Sequence, residues 1–401
     1  MGAAWLVLPF AAGHFLSYFF RTANAVIGPA LTQELSLSAG AVGLLTGAYF
    51  LAFAAVQIPL GMVLDRIGAR RVQAGLLLVA AAGALAFSAG RDLGELAAAR
   101  GLIGLGVSAC LMAALHAFFH WFPLERQASL TAWMMAAGNL GAITATSPLH
   151  AALQVTGWRQ IFVGLAVLSV GVAAWGFFGL PDTKAPPARS SFREQWEGVT
   201  SVFRSNYFRY VGPVGLACTG GFFAVQGLWS ASWLREVEGQ TRAASALTLA
   251  GMNVAMLATY VVIGLAATRL SRRGIGAARM LTVGLALAMT MLLLIVMRAS
   301  SHPRALWVAY GVFSTFGTLV FPIMAQGYPI ALAGRASTAL NVMVFIGAFG
   351  VQWGMGVAID LLGIAGLGSP GAHRVVFGLL LVLQVTAYSW FQVGRKRGLI
   401  R

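Results

Sequence analysis

Residues 39–90 read AGAVGLLTGAYFLAFAAVQIPLGMVLDRIGARRVQAGLLLVAAAGALAFSAG. Two apolar runs flank a short turn that holds every charge of the stretch, Asp65, Arg66, Arg70 and Arg71. Each run approaches the roughly 20 residues that a helix needs to cross a hydrocarbon layer about 30 Å thick. The same ruler laid along the rest of the chain predicts twelve spans, at about 5–31, 41–62, 72–90, 96–120, 127–149, 159–179, 207–233, 243–267, 277–298, 304–331, 336–361 and 372–393. The first is no cleavable leader, because it lacks a basic start, contains Arg21 and exceeds the length of a signal core.

Composition agrees. Of 401 residues 59% are hydrophobic and only 9% charged, where soluble domains carry about a quarter charged. A net charge of +16 in a soluble chain would suggest nucleic acid as a partner. Here the basic residues lie in short clusters between apolar runs and form no continuous stripe, so nucleic acid is excluded and the partner is the lipid bilayer. Cys110 and Cys218 both fall inside apolar runs and read as small core residues rather than a disulfide framework. No nucleophile–base pair, metal set or phosphate loop is found, so neither an enzyme nor a cofactor is expected.

Orientation follows from the basic residues. With both termini cytosolic, eighteen of the 27 Lys and Arg fall in inside segments and seven in outside ones, Arg21 and Arg100 lying within spans. A plasma membrane, the inner one in a bacterium, with both termini in the cytosol is the expected setting.

The longest polar stretch, Leu180 to Arg209, divides six spans from six, giving halves 1–180 and 207–401 and a cytosolic linker over 181–206. Pro181, Pro186 and Pro187 break it; Ser191 and Glu194 then stand at capping-box spacing, and Phe192, Trp196, Val199 and Phe203 recur at helical intervals. The linker therefore carries an amphipathic helix along the membrane surface. The halves echo each other: Gly61, Asp65-Arg66 and Arg70-Arg71 correspond to Gly264, Thr268-Arg269 and Arg272-Arg273, and Arg126 with Ala128-Ser129 to Arg335 with Ala336-Ser337. Two six-helix halves in parallel repeat suit a carrier whose site, at the midplane between them, opens to either side by rocking.

The run GMVLDRIGARR at 61–71 resembles the signature loop of the major facilitator superfamily, and RGLIGLG at 100–106 resembles its second signature in the fourth span. The resemblance covers essentially the whole chain and implies an all-α fold of twelve transmembrane helices. It also implies a conformational gate at Gly61, Asp65, Arg66, Gly68, Arg70, Arg71 and, as acid partner of the arginines, Glu125. Gly61 would permit close helix approach and Gly68 a tight turn. Asp65 would sit at the start of the eleventh span near Ala336 to Thr338, where helix dipole and free amides favour an anion. The plainer alternative is that these charges only set topology.

YFFRTANAVIGPAL at 18–31, with the run that follows at 39–68, is similar to the organic-anion branches of the superfamily, the anion:cation symporters and organophosphate antiporters. Those carry an arginine at this point, facing substrate. Phe20 replaces the acid that usually precedes it in the symporters, and Gly106 to Ala109 replace a second acid in the fourth span.

Arg21 lies near the middle of the first span, where a charge costs about 2.5–3.5 kcal/mol on insertion scales. The acids, Glu34, Asp65, Asp92, Glu95, Glu125, Asp182, Glu194, Glu197, Glu236, Glu238 and Asp360, all fall in loops or within a turn or two of a span end. The expected partner is thus water, backbone carbonyls or an anion from solution, and a guanidinium fork suits carboxylate or phosphate. His14, Tyr18, Arg21 and Asn24 share one helical face. Arg21 either lines a cavity there or only specifies helix packing.

Further candidate substrate residues are Tyr49, His116, Trp133 and Asn139 in the first half, and Gln226, Trp229, Tyr310, Ser314, Asn341 and Gln352 in the second. Each alone is as readily a packing residue; together they describe a cavity for a moderately polar solute. Arg100, near a span end, either snorkels or touches substrate. Met252 and Met256 read as gap fillers rather than a soft-metal pair. With no buried acid, His14 and His116 are the proton-coupling candidates, alongside uniport or exchange against a counter-anion. The expected protein is a monomeric alternating-access transporter of a small organic anion. The rivals are an exporter of apolar or cationic compounds, and a non-transporting receptor or assembly factor on a carrier fold.

Overall fold

The protein, as a computed structural model, is described over residues 3–181, 192–273, 276–300 and 302–400, and no strand occurs among them. Up to the linker the helices are α1 (Ala3–Leu35), α2 (Ala39–Ala55), α3 (Gln57–Ile67), α4 (Ala69–Ala89), α5 (Leu93–Val107), α6 (Cys110–Trp121), α7 (Leu124–Thr144), α8 (Ser147–Ala152) and α9 (Trp158–Gly179). The linker helix is α10 (Phe192–Arg204). Then follow α11 (Asn206–Val214), α12 (Gly221–Ala224), α13 (Ser230–Glu236), α14 (Arg242–Arg272), α15 (Ala277–Met297), α16 (Pro303–Ser314), α17 (Val320–Gln326), α18 (Ile330–Ile364) and α19 (Ser369–Lys396). Each of the twelve expected ranges is largely helical, but the tenth, 304–331, overruns: α17 ends at Gln326, residues 327–329 are not helical, and α18 starts at Ile330. Among the described residues nine stretches are long and apolar enough to cross a membrane, and the α2–α3 pair, bent by 46°, makes a tenth.

Interruptions trace to residues that cannot keep the backbone ladder. Pro59 has no N–H to offer Ala55, and α2 bends into α3 one turn earlier, at Val56. Pro213 likewise leaves the Arg209 carbonyl without its helical donor, and Trp390 Nε1 donates to that carbonyl instead, at 2.9 Å. Between α11 and α13 the chain widens into π-helical turns at Gly215–Gly220 and Val225–Trp229, a winding often found at functional positions.

The chain forms two compact units. Unit 1 comprises Met1–Leu37 and Ala48–Phe192, unit 2 Ser38–Gly47 and Arg193–Arg401. Within unit 1, α1 packs on α7 and α9, and α4 on α5 and α9; within unit 2, the π turn at 215–220 packs on α18, and α15 on α16 and α19. The same relative pairs recur, and so does the means of close approach. A Cβ on Gly141 of α7 would overlap the Phe15 carbonyl of α1, and one on Gly347 of α18 would overlap the Leu216 carbonyl. Unit 1 is filled by aromatic clusters such as Phe10–Phe118, with centroids 5.7 Å apart, and Phe87–Phe162, 4.4 Å apart.

One helix start needs correcting. The eleventh span was expected from about residue 336, but α18 begins at Ile330 behind Pro329 as its N-cap. Ala336 to Thr338 therefore lie in the second and third turns, where backbone amides are already bonded, and offer no free donors to an anion.

Outside the spans, Glu34 at the end of α1 accepts from Trp158 Nε1 at 2.8 Å and pairs with Arg159, whose Nη2 also donates to the Gly90 carbonyl at 3.0 Å. The Trp158 hydrogen bond holds its carboxyl below the ordinary glutamate value, with burial opposing it and Arg159 adding a further lowering. One carboxylate thus ties the ends of three helices of unit 1.

Candidate binding site

The site begins with helix geometry. His14, Tyr18 and Arg21 stand at successive turns of α1, and the structure brings their side chains together. The Arg21 guanidinium lies 3.9 Å from the Tyr18 ring centroid, and the His14 and Tyr18 rings meet nearly edge-on at 4.9 Å. An aromatic face gives a desolvated cation about 0.5–2 kcal/mol, which offsets part of what Arg21 loses by leaving water. Arg21 is 8% exposed, His14 3% and Asn24 1%. Neither ring nitrogen of His14, nor Asn24 Oδ1, has a hydrogen-bond partner among the described residues. On α7, Gly138 faces this stack: a Cβ there would stand 3.0 Å from both His14 and Tyr18. The neighbouring Asn139 donates to the Met135 carbonyl of its own helix at 2.9 Å, and Trp133 is exposed.

A second buried cation stands beside the first. Arg100 was placed by the sequence near a span end with room to snorkel; it is instead 0% exposed. Its Nη2 donates to the Phe20 carbonyl at 3.1 Å, and its guanidinium lies 5.5 Å from the Tyr49 ring and 5.7 Å from that of Phe87. Those rings close the exit that snorkelling requires. Tyr49, a substrate candidate by sequence, donates its hydroxyl to the Ser17 carbonyl at 3.1 Å. Unit 1 therefore concentrates positive charge around the middle of α1. His116 is half-buried, its ring 4.8 Å from that of His120, whose Nδ1 donates to the His116 carbonyl at 2.8 Å.

Unit 2 answers with neutral groups. Gln226, in the second π-wound stretch, donates to Asn253 Oδ1 at 2.7 Å with Met256 Sδ at 3.6 Å. Trp229 Nε1 donates to the Gln352 carbonyl at 3.0 Å, and the Gln352 amide donates to Thr46 Oγ1 at 2.6 Å. Tyr310 is 1% exposed, edge-on to Phe222 and Trp307. Ser314 is buried and Asn341 half-buried. Asn253 and Thr46 were not singled out from sequence. Asn253 was visible as a lone amide in an apolar run; Thr46 had no signal, since a threonine in a membrane helix normally bonds its own backbone.

In the loop at 61–71, Gly68 adopts φ +88°, the turn expected of it. Gly61 does not mediate close approach, for a Cβ there would meet no described atom within 4 Å. Arg66 and Arg71 are exposed. Arg70 donates to the Leu180 carbonyl at 3.0 Å and lies over the Phe177 ring at 5.3 Å. The side chains of Asp65 and Glu125 lie outside the described residues. Among the described residues no three of His, Cys, Asp or Glu gather to hold a metal.

Residues 10–352 match the family description Major Facilitator Superfamily. The chain is 27% identical over 179 residues to a hexuronate transporter of Escherichia coli (strain K12), covering 44% of this chain and 41% of that one. It is 28% identical over 183 residues to a galacturonate transporter of Dickeya chrysanthemi, covering 44% and 52%. With a probable sulfoacetate transporter of Cupriavidus necator it shares 26% over 185 residues, covering 46% and 43%. The matched segment thus spans about half or less of each relative. Among solved structures, a bacterial homolog to the human lysosomal transporter Spinster, inward-facing and unoccupied, superposes with TM-score 0.78 at 15% identity, covering 99% and 98%. A D-xylose-proton symporter does so with TM-score 0.72 at 15% identity, covering 96% and 97%. Sequence match and shared fold agree, and the chain belongs to the Major Facilitator Superfamily.

Proposed function

We propose that the chain is an alternating-access transporter of a small organic anion, held near the membrane midplane with Arg21 as its main anion contact. The observation that carries this is the buried stack of Arg21, Tyr18 and His14, a cation beside an imidazole whose two nitrogens no described residue satisfies. A guanidinium fork matches the planar, bidentate geometry of a carboxylate and also suits phosphate. Arg100 adds field of the same sign without being aimed at the stack. The relatives named for hexuronate, galacturonate and sulfoacetate support the reading, since each of those solutes carries a carboxylate. Both termini are assigned to the cytosol by the bias of basic residues.

The test is a ligand panel on purified protein read by thermal melting. D-galacturonate, D-glucuronate and tartrate raise the melting temperature, neutral D-galactose does not, and Arg21→Gln loses the shift while still folding. Equal stabilisation by galactose and galacturonate, or a shift that survives in Arg21→Gln, overturns the assignment.

A further inference from the structure

The sequence offers His14 and His116 as proton carriers, but the structure equips a third histidine better than either. His373, near the start of α19, is 3% exposed and has a partner for each ring nitrogen. Nδ1 lies 2.8 Å from the Ser369 carbonyl oxygen, which can only accept, so Nδ1 carries the proton of the neutral ring. Nε2 is then an acceptor, and Ser232 Oγ of α13 donates to it at 2.8 Å. Ser369 Oγ in turn donates to Glu236 Oε2 at 3.0 Å. His14, by contrast, shares the Tyr18 ring with Arg21, and neither of its nitrogens has a partner among the described residues.

The other charged groups on the elements packed around α19 are engaged elsewhere. Arg235 of α13 donates through Nε to the Ala231 carbonyl at 3.2 Å, and Glu238 accepts from Trp233 Nε1 at 3.1 Å. Arg374 donates through Nε to the Val296 carbonyl at 3.2 Å, and Arg298 caps the same end of α15. Asp360 of α18 accepts from Ser38 Oγ at 2.6 Å, Ala39 N at 2.9 Å and Gly40 N at 2.8 Å. Arg209 of α11 lies at the opposite end of α19, where its carbonyl meets Trp390. Glu236 is thus the carboxylate joined to the imidazole by hydrogen bonds.

This network keeps its hydrogen bonds in either protonation state. A proton added at Nε2 turns that nitrogen into a donor, Ser232 Oγ becomes its acceptor, and the Nδ1 bond to the Ser369 carbonyl is retained. The new cation stands one hydroxyl away from the Glu236 carboxylate, an attraction that partial burial strengthens. Ser369 and Glu236 are exposed and Ser232 is half-buried, so water reaches the network. The hydroxyl proton of Ser232 must then find another acceptor, and a helical serine has one in the carbonyl four residues back, here Leu228. Leu228 belongs to the π-wound turn Val225–Trp229. That turn carries Gln226, bonded to Asn253, and Trp229, bonded to the Gln352 carbonyl with its ring 6.3 Å from that of His373.

We propose that His373, with Ser232, Ser369 and Glu236, forms a proton-binding site at the end of unit 2 that the bias of basic residues assigns to the outside, and that Ser232 passes its occupancy to the π-wound turn holding Gln226 and Trp229. Its use in driving uptake rests on the transporter reading above; the binding of the proton does not.

Magic-angle NMR of the full chain with isotope-labelled histidine, in phosphatidylcholine bilayers, reads the rings directly, and the signal of His373 is the one missing from His373→Gln. It is expected to show the Nδ1–H tautomer at about pH 8 and the imidazolium at about pH 5, the span over which histidine ordinarily titrates. A ring that keeps its neutral tautomer across that span overturns the proposal. Backbone hydrogen exchange over residues 225–234, corrected for the intrinsic effect of pH, reads the transmission. It is expected to change about twofold or more between the two conditions in the wild type and not in Ser232→Ala. An equal change in both proteins, or none in the wild type, overturns the role of Ser232. Should His373→Gln fail to fold, displacement of the same signal in Ser232→Ala identifies it, and the outcomes read as before. Neither measurement uses a solute, so both stand if the anion assignment fails.

Discussion

Unit 1 buries polarity as charge, with Arg21 stacked on Tyr18 and Arg100 enclosed by Tyr49 and Phe87. Unit 2 buries it as neutral amides and hydroxyls that bond one another, Gln226 to Asn253 and Gln352 to Thr46. Both use the same helix pairings and the same glycine contacts, at Gly141 and at Gly347. Repetition thus fixed the packing and left the buried chemistry free to diverge. A cation acts over distance in a low-dielectric interior and draws in an anion, while an amide pair acts only at contact and discriminates shape.

Where the units agree, they should fail alike. Gly141→Val and Gly347→Val each force a side chain into a facing carbonyl, and each is expected to cost about 3 kcal/mol or more, beyond ordinary overpacking. Yield and thermal melting of both variants check this, and tolerance of one alone would end the equivalence. Where the units differ, the responses should cross. Gln226→Leu leaves Asn253 Oδ1 buried without its donor and should destabilise by about 1–3 kcal/mol, with the ranking of anions unchanged. His14→Phe breaks no hydrogen bond to a described residue, so melting should move little, whereas anion affinity should fall about tenfold, the worth of one hydrogen bond to a charged group. Melting and ligand titration on both variants read the two effects separately.

The smallest effect belongs to Glu34. Its carboxyl is depressed in the folded protein, so its stabilisation is present above the unfolded value near 4.3 and is lost as pH falls through the folded one. Melting curves of the parent and Glu34→Gln should differ at neutral pH and converge under acid conditions. A constant gap across that range would show that Trp158 and Arg159 do not act through the charge.

The spans were legible because apolar runs of membrane length need no tertiary knowledge, and the α1 stripe because its residues fall one turn apart. Depth and partnership were not. Arg100 reads as terminal by position, but Phe87 and Tyr49 come from other helices to cover it. Asp360 reads as one more acid at a span end, since nothing local points to Ser38 and Gly40. The start of α18 was misplaced because Arg335 reads as a loop charge, although Pro329 sets the helix start and the chain winds through Arg335 without a break. The division of α2 at Gly47 had no local signal at all.

Everything functional rests on Arg21 meeting the anion, and uptake into proteoliposomes addresses that contact. With radiolabelled D-galacturonate, or whichever acid of the panel binds tightest, Arg21→Gln and Arg21→Lys should each lower uptake at least about 30-fold, the equivalent of about 2 kcal/mol for one member of a buried charge pair. Lysine fails too because a point charge lacks the guanidinium fork. Uptake by folded Arg21→Gln at the wild-type rate, with unchanged KM, would contradict the account.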